Sequence, residues 1–223
     1  MQLQAVKALV KQGEGQHLEF KKKANHPEKV VKELVAFANT DGGTLLLGVD
    51  DNGTVSGVRA IEGELFAIEE AIEKYIRPTL TYSTEIIRIN EKKGVASLRI
   101  SPKQEKVYYI KKNGGNRKGI AFIRKRDQSL KASKEMREIL ERRIKNKDIQ
   151  FEYDERVQKA IRLCEEHNFT TIKILRQEAQ ISKYQASRVL IRLVLANVLD
   201  IEATEDEDRF YLKNSHSSKE EWH

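Results

Sequence analysis

The feature that most constrains the fold is the run TLLLGV at residues 44–49, which is almost wholly apolar. A strand that alternates apolar and polar residues has one face buried and one face in solvent. A continuously apolar strand must be buried on both faces. The run follows Asn39, Thr40, Asp41, Gly42 and Gly43, a loop of residues that accept positive φ angles or cap themselves. We therefore expect a central buried strand with helices packed beside it.

The elements around this strand predict an α+β domain, a mixed sheet with flanking helices, over residues 1–147. Apolar positions at helical spacing predict helices at 3–12, 27–38, 62–76 and 133–144, the second of them beginning with Pro27 in its first turn. Alternating or apolar runs predict strands at 17–21, 79–89, 95–101, 107–111 and 121–125. Asn52 and Gly53 predict a type I′ hairpin turn, with residues 54–58 pairing back onto the central strand.

The last third of the chain has a different pattern. Helices are expected at 154–166, 171–179 and 182–195, followed by a hairpin of residues 199–203 and 209–212. Three helices and a small hairpin predict a winged helix-turn-helix domain over residues 148–214. Residues 215–223 are polar and predict a disordered tail.

Composition excludes several classes of protein. The 223 residues are 39% hydrophobic and 34% charged, which is typical of a soluble globular protein. No apolar run approaches the roughly 18 residues of a membrane span, and the N-terminus lacks the features of a signal peptide. The single cysteine, Cys164, excludes an internal disulfide and a multi-cysteine metal site. We expect a cytoplasmic protein without a membrane partner.

The net charge of +7 is unevenly distributed. Residues 103–147 contain 16 Lys and Arg against 5 Asp and Glu, a local excess of eleven positive charges, so the rest of the chain is net negative. A local basic block favours a polyanionic partner, DNA or RNA. The alternative interpretation is a lysine-rich solvated surface.

Within this block, two predicted strands and a glycine-rich tip form what we expect to be a basic β-ribbon that contacts phosphates. Tyr108 and Tyr109 are close enough in sequence to stack on exposed bases. The alternative is a strand pair that simply turns its lysines outward. The candidate ribbon residues are Lys111, Lys112, Arg117, Lys118, Arg124, Lys125 and Arg126.

The third predicted helix of the C-terminal domain carries a second set of candidate nucleic-acid contacts. These residues are Lys183, Tyr184, Gln185, Arg188 and Arg192. The hairpin that follows is acidic at residues 202 and 205–208, and its carboxylates would repel a DNA backbone. Dimerisation or contact with another protein is therefore the alternative role of this domain.

Four carboxylates flank the first two strands of the N-terminal domain: Glu14, Glu19, Asp50 and Asp51. Carboxylates that converge repel one another, and a Mg²⁺ or Mn²⁺ ion would relieve the repulsion and could activate water. The candidate metal ligands are Glu14, Glu19 and Asp51. The alternative is a loop glutamate, a solvated strand glutamate and two hairpin aspartates.

Several of these residues belong to segments that resemble a known protein family. Glu14, the LEFK segment with Glu19, and the run AFANTDGGTLLLGVDDNGTVSGV resemble the Schlafen-type AlbA-like domain, formerly called divergent AAA, as do YYIKKNGG and FIRKRDQSLKASKEM. The resemblance covers roughly residues 12–145 and implies nucleic-acid binding. Some relatives are described as DNA-binding transcriptional regulators, and a winged helix is a familiar neighbour of this domain.

Other Schlafen members are metal-dependent endoribonucleases. The resemblance would assign their acidic triad to Glu14, Glu19 and either Asp50 or Asp51. This chain departs from those enzymes because it has one module and lacks the cysteines of their zinc site, although a homodimer would restore two modules. No GxxxxGK[ST] loop is present, so ATPase activity is not expected.

The sequence therefore predicts a bacterial nucleic-acid-binding protein, specifically a DNA-binding transcriptional regulator that forms a homo-oligomer such as a dimer. The first alternative is a Mg²⁺- or Mn²⁺-dependent endoribonuclease that cleaves structured RNA. The second alternative is a protein-interaction or dimerisation module.

Overall fold

The structure is a computed structural model that describes residues 2–102, 105–111, 119–145 and 153–213. The chain divides into two compact units, Met1–Lys131 and Ala132–His223. The sequence predicts the boundary between the two domains at residue 147, whereas the two units divide after Lys131. The segment between these two positions includes one helix. The predicted tail, residues 215–223, lies outside the described residues.

The described residues of the first unit form three helices and nine short strands. The helices are α1 (Leu3–Val10), α2 (Pro27–Ala38) and α3 (Ile61–Tyr75). The strands are β1 (Leu18–Lys21), β2 (Gly43–Leu47), β3 (Val58–Arg59), β4 (Ile76–Arg77), β5 (Ser83–Arg88), β6 (Lys93–Ile100), β7 (Tyr109–Ile110), β8 (Phe122–Lys125) and β9 (Gln128–Lys131).

Five of these strands form a mixed sheet. The strand β1 pairs with β2 in parallel, and β2 pairs with β6 in the antiparallel direction. The strand β6 also pairs antiparallel with β5 and, over two residues, with β3. The predicted α+β class with a mixed sheet is confirmed.

The central strand β2 is covered on both faces, as its apolar run predicts. Leu45 and Leu47 pack into a core with α2 and α3, which contribute side chains such as Leu34 and Ile68. Leu46 points to the opposite face and packs with residues of α1, β1 and β5. Burial on both faces explains why a strand of this sheet has no polar alternation.

The predicted hairpin after β2 forms only in part. Gly53 N donates to Asp50 O at 2.8 Å and Asp50 N donates to Thr54 O at 2.9 Å, so the turn exists. After the turn, one more backbone hydrogen bond joins the two arms of the hairpin, from Gly57 N to Gly48 O. The next strand, β3, pairs with β6 and not with β2, so the prediction that residues 54–58 pair back as a strand was wrong.

Glycine is required at Gly42, the first glycine of the loop before β2. Its φ is +74°, and a Cβ atom there would lie 2.6 Å from Ile100 O and 2.7 Å from Pro102 N. A side chain would therefore strain the backbone and also collide with the end of β6. This close approach holds β2 and β6 in register at their shared end.

The predicted basic ribbon is not a continuous strand pair. The strand β7 pairs with β4, and β8 pairs with β9. Only one bridge, between Ile110 and Ile120, joins the two arms among the described residues. The expected ribbon forms only in part among the described residues, because the arms exchange backbone hydrogen bonds at Ile110 and Ile120, whereas their strands pair with β4 and β9. The predicted glycine-rich tip lies outside the described residues.

A buried asparagine joins these small strand pairs to the end of α2. The Asn39 amide donates to Tyr108 O and to Phe122 O, each at 2.9 Å, and its carbonyl accepts from Tyr108 N at 2.8 Å. Asn39 is 8% exposed, so these three hydrogen bonds are shielded from water.

We expect Asn39→Ala to lower the free energy of unfolding by about 3 kcal/mol, because it removes three hydrogen bonds from a buried site. Urea denaturation followed by circular dichroism measures the change. Asn25→Ala, at an exposed position, is the matched control and should change stability by less than about 0.5 kcal/mol. Equal stability of the two variants would contradict the role assigned to Asn39.

Four helices and one hairpin make up the part of the second unit that the structure describes. Its elements are α4 (Lys134–Ile144), α5 (Glu155–His167), α6 (Ile172–Glu178), α7 (Lys183–Leu195), β10 (Leu199–Glu202) and β11 (Arg209–Leu212). The strands β10 and β11 are antiparallel, and Thr170 bridges to Phe210 of β11. The helices and the hairpin that the sequence predicts in this region are confirmed.

The core of the second unit explains why α4 belongs to it. Ile139 of α4 is fully buried with Leu190 and Leu193 of α7. Glu135, which is also buried, accepts a hydrogen bond from Ser187 Oγ at 2.7 Å.

None of the helices in the described part of the chain combines the length and the apolar character that crossing a membrane requires.

Cys164 and Asp208 are buried titratable groups of this unit whose pKa values are raised. Burial raises the pKa of the Cys164 thiol to about 12, so the thiol stays protonated and behaves as a small apolar side chain. Burial also raises the pKa of Asp208, against a hydrogen bond from Ser133 that lowers it. Ser133 in turn caps α4 by accepting from Met136 N at 2.9 Å.

Because the pKa of Asp208 is raised on folding, the folded state binds its proton more tightly than the unfolded state does. This contribution therefore favours folding at low pH and is lost as the pH rises through the raised pKa. We expect Asp208→Asn to raise the melting temperature relative to the wild type, and by more at pH 7 than at pH 4. Calorimetry at the two pH values tests this, and a pH-independent difference would contradict it.

Candidate nucleic-acid interface

The four candidate carboxylates lie at one edge of the sheet. Because β1 and β2 are parallel, the chain leaves both strands at the same edge, where ligands commonly bind in α/β sheets. Asp50 Oδ1 lies 3.0 Å from Lys22 Nζ, which follows β1. This is an ion-pair distance without hydrogen-bond geometry, and the buried Oδ1 has no hydrogen-bond partner within the described ranges.

Glu19 does not face solvent but is paired inside the first unit. It is 6% exposed, and its carboxylate accepts from Arg124 Nη2 at 2.6 Å and also from Lys21 Nζ. The Arg124 side chain is fully buried. The charge of Glu19 is therefore compensated by two cations of the same chain.

The other groups around the guanidinium complete its hydrogen bonding. Arg124 Nη1 donates to Glu33 Oε2 at 2.8 Å and to Ser129 Oγ at 3.3 Å. Its Nε donates to Gly15 O at 3.1 Å, and its guanidinium carbon lies 5.0 Å from the centre of the Phe37 ring. A buried arginine with two carboxylates and an aromatic face is a structural ion cluster.

Glu14 is exposed and borders a cleft of about 680 Å³ that is also lined by Asp51, Lys7 and Lys11. Its Oε1 accepts from Phe20 N at 2.7 Å. Desolvation raises the pKa of the Glu14 carboxyl, the hydrogen bond from Phe20 lowers it, and the charges of Glu19 and Asp51 raise it again. Glu14, Glu19 and Asp51 are thus electrostatic neighbours.

These carboxylates do not fit a Mg²⁺ or Mn²⁺ site. Such ions require several free oxygen ligands, whereas Glu19 is held by Arg124 and Lys21 and Glu14 by Phe20 N. Within the residues that the structure describes, no group of three or more His, Cys, Asp or Glu side chains is arranged to hold a metal ion. A metal would have to displace the buried guanidinium from Glu19.

The candidate ribbon residues have different environments. Lys111 and Arg126 are exposed, and Lys125 is partly exposed. Arg124 does not fit the prediction of a nucleic-acid contact, because it is buried and fully engaged by the first unit. Lys112, Arg117 and Lys118 lie outside the described residues.

The candidate residues of α7 also differ in availability. Lys183 is exposed, and Tyr184 is 67% exposed at the start of the helix. The Gln185 side chain forms a capping box with Ser182, so its carbonyl is occupied by the helix end. Arg188 lies 3.6 Å from Glu138, and Arg192 is partly buried in the last turn.

Three of the five carboxylates of the acidic hairpin accept hydrogen bonds within the second unit. Glu202 accepts from Tyr211 at 2.8 Å, and Glu207 Oε1 accepts from Lys173 N at the start of α6 at 3.0 Å. Asp208 is buried and accepts from Ser133. Glu205 and Asp206 are exposed.

Comparison with known proteins decides the family. Residues 14–133 match the family described as Schlafen, AlbA_2, over more than half of the chain. The chain belongs to the Schlafen, AlbA_2 family. Membership indicates a nucleic-acid-binding role, as the resemblance predicts. The matched range includes the five-stranded sheet and the Arg124 cluster.

One of the solved structures similar to this chain is the DIP2311 protein from Corynebacterium diphtheriae. The two share 15% identity, the match has a TM-score of 0.42, and it covers 89% of this chain. This chain spans about a third of that protein, since 34% of the latter is covered. No match was found among curated proteins.

Two groups of functional interest escaped the sequence analysis. Glu33 and Ser129 pair with Arg124 from 91 and 5 residues away, and no local pattern marks Glu33 as a partner. The lysines after β1 were also missed, although the consecutive run at residues 21–23 is visible in the sequence.

We expect Arg124→Ala to lower the free energy of unfolding by about 3–5 kcal/mol, because it removes the buried cation from Glu33 and leaves the buried Glu19 with Lys21 alone. Arg126→Ala, two residues along and exposed, is the matched control and should stay within about 0.5 kcal/mol of the wild type. Chemical denaturation of both variants measures the difference. A stable Arg124→Ala protein would show that the cluster is dispensable.

Proposed function

We propose that this protein is a cytoplasmic DNA-binding transcriptional regulator whose second unit is a winged helix-turn-helix domain that contacts DNA. In this proposal α6 and α7 are the helix-turn-helix, α7 enters the major groove, and β10 and β11 form the wing. The observation that carries the proposal is the exposed start of α7, where Lys183 and the 67% exposed Tyr184 stand together.

The order of elements in the second unit supports this assignment. The helix α5 precedes α6, and the hairpin follows α7 directly. Thr170, just before α6, bridges to Phe210 of β11, so the hairpin is tied to the start of α6. Such an arrangement leaves the N-terminal turn of α7 free to approach base edges.

The charges of the second unit support DNA as the ligand. Lys173 and Arg176 of α6 are exposed, as is Lys183 of α7. Three of the five hairpin carboxylates are held in place by hydrogen bonds within the second unit. Glu205 and Asp206 are exposed and oppose DNA binding most directly.

A homodimer fits this proposal, because winged helices of this type commonly bind two half-sites with two-fold symmetry. Multi-angle light scattering measures the oligomeric state directly. The alternative of a metal-dependent endoribonuclease has less support, since Glu19 is paired with Arg124 and Lys21. The alternative of a pure dimerisation module predicts a dimer without affinity for DNA.

We expect the full-length protein to bind duplex DNA with an affinity that falls steeply with salt, and Lys183→Ala with Tyr184→Ala to weaken it. Loss of contacts at the start of α7 should cost about 1–3 kcal/mol each and should reduce discrimination between DNA sequences. Fluorescence anisotropy with a library-selected site and a scrambled duplex measures both effects.

Arg162→Ala, at an exposed position of α5, is the control for this experiment and should leave DNA affinity unchanged. If the wild type binds no DNA at low salt, the proposal is wrong. If it binds but the α7 double variant binds equally well, DNA contact through this helix is wrong.

A further inference from the structure

A basic cavity lies beside the loop between β1 and α2. It has a volume of about 420 Å³ and is lined by Lys21, Lys22, Lys23, Asn25, His26, Lys29 and Val30. Four of the lining residues are lysines and none is acidic. We call this cavity the lysine pocket.

The loop that carries these lysines is fixed by the rest of the first unit. Ala24 is buried, and its N–H donates to Glu64 Oε2 of α3 at 2.7 Å. Val30 of α2 is 2% exposed and packs into the main core. The lysines on either side of Ala24 and at the start of α2 therefore extend from an ordered backbone.

The charges of the lysine pocket are only partly compensated. Lys21 is engaged by Glu19 and by Phe20 O, and Lys22 lies 3.0 Å from Asp50. For Lys23 and Lys29, no carboxylate lies within ion-pair distance in the part of the chain that the structure describes. The pocket thus holds two uncompensated ammonium groups and a third that is shared.

The surrounding acidic groups do not cancel this charge. His26 lies 3.3 Å from Glu28, which lines a different cavity together with Glu70, Glu73 and Lys74. Two cavities of opposite charge therefore flank the start of α2. An anionic ligand would be attracted to the lysine pocket and repelled from its neighbour.

We propose that the lysine pocket binds backbone phosphates of a nucleic acid, with Lys23 and Lys29 as the direct contacts. Lys22 adds to the site when it exchanges Asp50 for a phosphate oxygen. The partial positive charge at the start of α2 adds to the attraction of the lysines. This inference rests on the proposed function, because it assigns a second contact surface, on the first unit, to the same ligand.

Lysine suits this role because its ammonium group is a point charge that binds phosphate without requiring one orientation. Contacts of this kind fix position on the backbone and carry no sequence information. The lysine pocket therefore contributes affinity that is equal for all sequences, whereas the start of α7 contributes discrimination.

The test compares full-length wild type with Lys23→Gln/Lys29→Gln in duplex DNA binding across a salt series. Loss of two phosphate contacts should reduce the slope of log affinity against log salt by about two and weaken binding on the order of tenfold at 100 mM salt. The loss should be the same for the selected site and the scrambled duplex. Lys23→Arg/Lys29→Arg, which keeps both charges, should bind as the wild type does.

Lys74→Gln/Lys92→Gln is the matched control, since it removes the same charge from two exposed positions outside the pocket. If both glutamine variants lose affinity equally, the effect is net charge and the inference is wrong. If the wild type binds no DNA, the proposed function itself fails and takes this inference with it. Unchanged binding by Lys23→Gln/Lys29→Gln overturns the inference alone.

Inorganic phosphate separates a nucleic-acid site from a site for a small anion. Isothermal titration of the wild type and of Lys23→Gln/Lys29→Gln with inorganic phosphate, at constant ionic strength, measures the small-anion affinity. If phosphate binding depends on the two lysines while DNA binding does not, the pocket serves a small anion and the proposal is overturned.

Discussion

The buried guanidinium of Arg124 is the interaction on which the first unit depends. It joins β8 to Glu19 of β1, to Glu33 of α2 and to the backbone of the segment before β1. These elements are distant in sequence, and the backbone hydrogen bonds of the five-stranded sheet do not reach β8. Such an ion cluster is a specificity device, because few other arrangements of the chain would satisfy all of its charges.

The same cluster changes what the acidic residues of the sheet edge can do. Glu14, Glu19 and Asp51 are close enough for their charges to affect one another, as a metal site would need. In this chain, however, Glu19 is already neutralised by Arg124 and Lys21, so two cations of the protein stand in the place of a metal. The sheet edge is therefore better suited to holding the surrounding loops than to chemistry.

Pairing of these carboxylates uses some of the nearby lysines and leaves others available. Lys21 pairs with Glu19 and Lys22 lies beside Asp50, whereas Lys23 and Lys29 have no ion-pair partner among the described residues. In the second unit, three hairpin carboxylates accept internal hydrogen bonds, whereas Lys183 and Tyr184 at the start of α7 remain exposed.

Local patterns were sufficient for most elements of both units, although they did not predict the short strands β4 and β9. The double-sided burial of β2, the helices α2 and α3, and the caps at Ser133 and Ser182 follow from apolar spacing and capping chemistry, which act over a few residues. Local patterns could not predict that β8 pairs with β9 and not with β7. Strand segments of similar composition compete for the same backbone groups, and their sequences do not show which pair forms.

The sequence by itself determined the α+β class, the order of helices and strands, the family, and the excess of basic residues in its second half. Only the tertiary structure decided which charges are available. Arg124 looks like its exposed neighbour Arg126 in the sequence, yet one is buried between two carboxylates and the other is in solvent. The reason is physical: burial and ion pairing depend on contacts between residues as far apart as Glu33 and Arg124, which no local pattern encodes.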